Sequence, residues 1–109
     1  MVDPAIVEGV RKYLDTLKDQ GIPVSFGVLY GSRAAGKSNP WSDIDLLVVS
    51  TQFDQTIDRK VINKLWHVAA RTDSRIEPIP CGERQWHQDT SCALIEIARK
   101  EGISIYTSS

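Results

Sequence analysis

Cysteine is nearly absent from this chain: Cys81 and Cys92 are the only two in 109 residues. They lack C-x-x-C spacing and have no histidine at metal-ligand spacing, which excludes a zinc site and a disulfide scaffold. Both are expected to be reduced packing residues. An excess of charge of one sign is missing too. Thirteen Lys and Arg stand against fourteen Asp and Glu, for a net charge of -1. A general nucleic-acid-binding surface would show as clustered basic residues, so none is expected. No apolar run approaches the roughly 20 residues that span a bilayer. The Met1-Val2-Asp3-Pro4 start has neither the basic nor the apolar region of a signal peptide. A cytoplasmic protein without membrane association is the expectation. A chain this short holds one core and one domain, residues 1–109, with no room for a catalytic domain plus a substrate domain. Whatever it acts on must be supplied from outside.

What is present reads as alternating elements. Ile6, Val10, Tyr13, Leu14 and Leu17 recur at helical spacing, with Asp3 placed to cap, Pro4 in the first turn and Gly21 just past the end. Residues 24–30 read as a strand ended by Gly31. Ser32 to Ala35 can start a short helix, which Gly36, Asn39 and Pro40 stop. Ile44 to Val49 is continuously apolar, as suits a strand covered on both faces. Ile57, Val61, Leu65, Val68 and Ala69 predict a helix over residues 55–71. Arg75 to Pro80 is a further strand; Pro78 and Pro80 each lack a ladder donor, which places it at an edge or rim. Ala93, Leu94, Ile97 and Ala98 form a last helix stopped by Gly102, before a short strand, Ile103 to Tyr106. This order predicts an α/β (α+β) domain with one mixed sheet flanked by helices.

Two phosphate-handling signatures overlap between Gly31 and Asp45. Residues 31–38 satisfy G-x-x-x-x-G-K-[ST], the P-loop pattern. A P-loop requires a helix that continues past the Lys-Ser pair, because its N-terminal N–H groups hold the phosphates. Pro40, two residues beyond Ser38, restricts Asn39 to extended conformations and breaks that helix in its first turn. Lys37 and Ser38 therefore read as solvated loop. The second signature is Gly31-Ser32 at the mouth of a strand and Asp43-Ile44-Asp45 opening the next. Residues i and i+2 of a strand share a face, so Asp43 and Asp45 project together. Paired carboxylates repel unless a cation neutralises them. Mg²⁺ fits, being held by one or two carboxylates plus substrate phosphates. Two such ions would clamp the attacking and leaving oxygens of a displacement at phosphorus. Gly31 would let backbone approach a triphosphate, and Ser32 would offer its N–H and hydroxyl. A plain D-x-D can equally form a turn or cap ahead of a strand.

Gly31-Ser32, ten intervening residues and Asp43-Ile44-Asp45 resemble the signature of the minimal nucleotidyltransferases (MNT), small members of the DNA polymerase β-like superfamily. The stretches Leu29-Tyr30-Gly31-Ser32-Arg33-Ala34, Ser42 to Val49 and Ile97 to Tyr106 are similar to the family's wording as well. The resemblance implies Mg²⁺-dependent transfer of a nucleoside monophosphate, AMP from ATP, with pyrophosphate release. It also implies a third metal carboxylate on a later strand, where the matching residue is Glu77. The implied catalytic and metal set is Asp43, Asp45 and Glu77; the implied nucleotide-binding set is Gly31, Ser32 and Arg33. Arg75 is expected to share Glu77's face and pair with it or with a phosphate. Ala35 stands where many relatives carry Arg, leaving Arg33 and Lys37 as substitute phosphate contacts.

Proteins of this type are commonly paired with a HEPN-domain toxin, and some adenylylate a tyrosine of that partner. The resemblance thus implies an antitoxin, as part of a homo- or hetero-oligomer. Two alternatives stay open: the same fold acting by binding alone, and nucleotidyl transfer to a small molecule of the aminoglycoside type. His67 reads as a surface or packing residue, and His87, in Trp86-His87-Gln88-Asp89, as part of a polar connection that could border the site. Trp41, Trp66 and Trp86 could mark a partner surface, since tryptophan is enriched at interface hot spots.

Overall fold

The computed structural model describes residues 3–31, 43–55, 57–88 and 92–108. The proposed Ser32–Ala35 helix, the P-loop stretch and Trp41 lie outside them. Helix α1 spans Pro4–Asp19, with the Asp3 side chain accepting from the Ala5 N–H and Pro4 in the first turn. It buries the predicted stripe, Ile6, Val10, Tyr13, Leu14 and Leu17. Strand β1 is Phe26–Tyr30 and β2 is Ile44–Ser50. A 3₁₀ turn, Thr51–Asp54, leads to helix α2, Arg59–Thr72, and strand β3, Ile76–Gly82. Helix α3, Glu83–Gln88, and helix α4, Ala93–Glu101, precede strand β4, Ile103–Ile105.

The strands form one mixed sheet in the order β3-β2-β1-β4. β1 runs antiparallel to both β2 and β4, while β2 and β3 are parallel and joined through α2, as a parallel pair requires. β3 is an edge strand, as its prolines predicted. Pro78 and Pro80 are two apart, so their missing N–H groups share one side of the strand. The intervening residues Glu77, Ile79 and Cys81 can then pair with β2, and the ladder survives.

Each face of the sheet carries its own core. On the first face, Leu29, Ile44, Leu46, Val48 and Ile76 pack against α1 and α2 through Leu14, Leu17, Leu65 and Val68. Leu14, Leu17 and Leu65 are fully buried, each worth about 1.5–3 kcal/mol of transfer free energy. On the second face, Val28, Tyr30, Leu47, Val49 and Cys81 pack against Ile95 and Ala98 of α4. The continuous apolar run of β2 is thereby explained, because alternate residues serve opposite cores. Cys81 and Cys92 are free thiols. Among the described residues, no helix is long and apolar enough to cross a membrane.

Two helices differ from the sequence-based expectation. α2 begins at Arg59, not at residue 55, because the Asp58 side chain caps it by accepting from the Val61 N–H. Ile57, read as part of the helical stripe, precedes the helix and is 39% exposed. α3, which contains His87, was expected only as a polar connection.

Candidate active site

The candidate site forms where β1 ends and β2 and β3 begin. Antiparallel register sets Tyr30 opposite Asp45, and parallel register sets Asp45 opposite Glu77. Three neighbouring strands therefore bring Tyr30, Asp45 and Glu77 into one row on the second face. Asp43, two residues before Asp45 and exposed, joins them just ahead of β2. It shares a side-chain hydrogen bond with Glu77. Sequence separation hides this grouping; strand register creates it.

Electrostatics confirm the crowding. Asp43, burial, the Asp43 hydrogen bond and Asp45 all push the Glu77 carboxyl up. Burial and then Asp43 push Asp45 up. Every influence on these two groups opposes ionisation, the condition in which a cation is favoured. Tyr30 is pushed up to about 12 by burial, Asp45 and Glu77. Its position among the carboxylates was not anticipated, although same-face alternation from Val28 carries the signal.

Gly31 ends β1 with φ +76, a conformation that suits glycine. A Cβ at this position would lie 2.7 Å from Asp45 Oδ2. The Asp45 carboxylate thus leans against the Gly31 backbone, so glycine is needed there for the turn and for the acid beside it. Among the described residues, no three metal-binding side chains stand at ligand spacing. Ser32 and Arg33 lie outside the described residues.

Arg75 does not pair with Glu77 as expected. Its Nε and backbone N–H donate to Asp73 Oδ1, each at 3.0 Å, and a terminal nitrogen meets Asp73 Oδ2 at 2.7 Å. Asp73 lies in the turn before β3, as near along the chain as Glu77, and its hydrogen bond raises the guanidinium pKa. Nor do the two described tryptophans share a face. Trp86 packs edge-on against Phe26 and under Arg99 on the second face, whereas Trp66 is 47% exposed on α2.

A sequence profile described as the nucleotidyltransferase domain matches residues 10–90, which span β1, the D-x-D and Glu77. The chain belongs to the nucleotidyltransferase domain family. Solved structures agree on the fold of this nucleotidyltransferase domain. A Sulfolobus solfataricus protein provisionally described as a nucleotidyltransferase aligns with TM-score 0.63 at 16% identity, over 94% of this chain and 80% of that one. A toxin–antitoxin structure with AMP-PNP aligns with TM-score 0.62 at 21% identity, over 91% of this chain and 74% of that one. A tri-AMPylated Shewanella oneidensis HEPN toxin in complex with MNT antitoxin gives TM-score 0.54 at 17% identity, over 92% and 71%. No curated protein matches this chain by sequence.

Proposed function

We propose that the chain is a Mg²⁺-dependent nucleotidyltransferase that moves AMP from ATP onto a HEPN-domain protein, acting as the antitoxin of that pair. The observation that carries this reading is the convergence of Asp43, Asp45 and Glu77 beside the Gly31 turn, with each influence on Asp45 and Glu77 opposing their ionisation. The donor set fits Mg²⁺: hard carboxylate oxygens with no soft ligand among them. Asp43, Asp45 and Glu77 would hold the metal, and divalent cations there supply Lewis-acid neutralisation of the phosphoryl oxygens.

In the reaction an acceptor hydroxyl oxygen bonds to the α-phosphorus of ATP, and the bond from that phosphorus to the bridging oxygen of the β-phosphate breaks. Pyrophosphate leaves with the electron pair, and the hydroxyl proton passes to solvent. The chain's own residues set the geometry. Register with β1 and β3 fixes Asp45 between Tyr30 and Glu77, and Gly31 leaves its backbone open to the triphosphate, where Ser32 and Arg33 would make phosphate contacts. The solved neighbours described as a toxin–antitoxin with AMP-PNP and as an AMPylated HEPN toxin with its MNT antitoxin support AMP transfer to a partner.

The second reading, neutralisation by binding alone, draws on the lack of three side chains at ligand spacing among the described residues. One experiment separates the two. Incubated with α-labelled ATP, Mg²⁺ and the product of the adjacent reading frame, the wild type should label that protein, and Asp43→Asn should fall to the no-enzyme background. Equal labelling by the variant, or none by the wild type, would refute catalysis. Full protection from the partner by an Asp43→Asn/Asp45→Asn protein would establish binding alone.

A further inference from the structure

Although the chain's net charge is -1, its charge is not evenly spread. Helix α2 carries Arg59, Lys60, Lys64 and Arg71 and no acidic residue. Asp58, just before it, is engaged as the N-cap. Among the described residues the ion pairs are Arg11–Glu8 and Arg75–Asp73, so none of the α2 cations is neutralised by a salt bridge. Lys60, Lys64, His67 and Arg71 are spaced four, three and four apart, which aligns them as one stripe along the helix. That stripe lines a groove of about 310 Å³ against Thr16 of α1 and Gln20 just past its end. Across the stripe a second depression, of about 430 Å³, shares Asn63, His67 and Arg71 with the first and is walled by Trp66. Trp66 is 47% exposed, an unusual position for so large an apolar ring beside a row of cations.

A row of unneutralised cations calls for a polyanion, and an exposed indole beside it calls for a flat partner. Single-stranded nucleic acid presents both, since its backbone tracks a positive groove while its bases stack on aromatic side chains. An acidic protein segment matches the charge but has no use for a stacking platform continuous with it. The two depressions joined across His67 and Arg71 also suit an extended strand rather than a compact ligand. We infer that the α1–α2 groove and Trp66 form a binding track for single-stranded nucleic acid, on the face of the sheet opposite Asp43, Asp45 and Glu77. The inference is independent of the proposed transfer reaction. Whole-chain charge concealed it, because the acids that balance α2 lie on other elements.

The test is fluorescence anisotropy of the full chain with a short labelled single-stranded RNA, titrated at several salt concentrations. The wild type should bind, with affinity falling linearly in log–log form against salt. Lys60→Ala/Lys64→Ala/Arg71→Ala should lower that slope by about 2, at roughly 0.7 per lost phosphate contact on a single strand. Trp66→Ala should weaken binding roughly five- to 150-fold with the slope unchanged, as expected for loss of one stacked base. Lys60→Arg/Lys64→Arg should retain wild-type binding, which separates loss of charge from loss of fold. No anisotropy change at low salt, a triple variant that binds like wild type, or displacement by polyglutamate as effective as by unlabelled strand would overturn the proposal. The last outcome would assign the groove to an acidic protein segment.

Discussion

Asp45 shows how a proposed metal ligand can work against the fold that holds it. Burial and Asp43 raise its pKa above the ordinary carboxylate value, and Asp43 and Asp45 do the same to Glu77. A group whose folded pKa exceeds its unfolded value adds stability only below the unfolded pKa, and that contribution is lost as pH rises through the folded one. Ionising either acid therefore costs the metal-free protein stability. Asp45→Asn is expected to raise the melting temperature of the metal-free protein at pH 7 and to flatten the decline in stability above about pH 4, near the ordinary carboxylate value. Adding Mg²⁺ should raise the wild-type melting temperature and leave the variant nearly unmoved. Thermal unfolding across pH, with and without Mg²⁺, checks both; a variant less stable than wild type without metal would sink the argument. At this scale the D-x-D was legible because period-two alternation is local. The Arg75 partner was not legible, because an Asp in the preceding turn competes with the strand face.

At the scale of elements, the predicted helices and strands were found where apolar periodicity is strong. The start of α2 is set by its own neighbouring cap, Asp58, whereas α3 depends on a cap supplied from elsewhere. Helix α3 has no buried residue and so no periodic signal. Its first turn is instead held by Asp54 of the 3₁₀ turn, whose carboxylate accepts from the Arg84 N–H at 2.9 Å and from the Gln85 N–H at 3.4 Å. Asp54 lies 30 residues before Arg84, so a scan for local capping pairs does not find it. Gly82 makes the contact possible, since a Cβ there would fall 2.0 Å from Asp54 Oδ1 and 3.1 Å from the Asp54 backbone nitrogen. Backbone cannot swing aside as a side chain can. Gly82→Ala is expected to destabilise by about 1–3 kcal/mol, the usual range for overpacking. Amide exchange should accelerate first in residues 83–88, and exchange that rises evenly over the chain would contradict this account.

Across the whole molecule, the sheet's strand order was beyond reach of a residue-by-residue reading, because β1 pairs with β2 and β4 through contacts far apart in sequence. The mixed α/β class was within reach, since it follows from the order of elements alone. What ties the helical layer together was also hidden: Tyr13 of α1, fully buried, donates its hydroxyl to the Leu65 carbonyl of α2 at 2.9 Å. Periodicity marked Tyr13 as core but said nothing of a bond to a helix 52 residues away. Burial raises its pKa well above the ordinary tyrosine value, and the ionised form would lose the donor inside an apolar core. The unfolded chain releases this proton near pH 10, roughly the unperturbed value, while the folded chain keeps it. Stability from this group is therefore complete below that pH and falls as pH rises beyond it. Tyr30, pushed up to about 12, acts in the same direction. Tyr13→Phe should cost about 1 kcal/mol at neutral pH, the net worth of one hydrogen bond. It should also remove about 1.4 kcal/mol per pH unit from the alkaline slope, one proton's share, leaving the part due to Tyr30. Denaturant unfolding from neutral pH to about pH 11, above the unperturbed tyrosine value, measures both quantities. An unchanged alkaline slope would mean that Tyr13 ionises no less readily in the folded protein than in the unfolded chain, and would overturn this account.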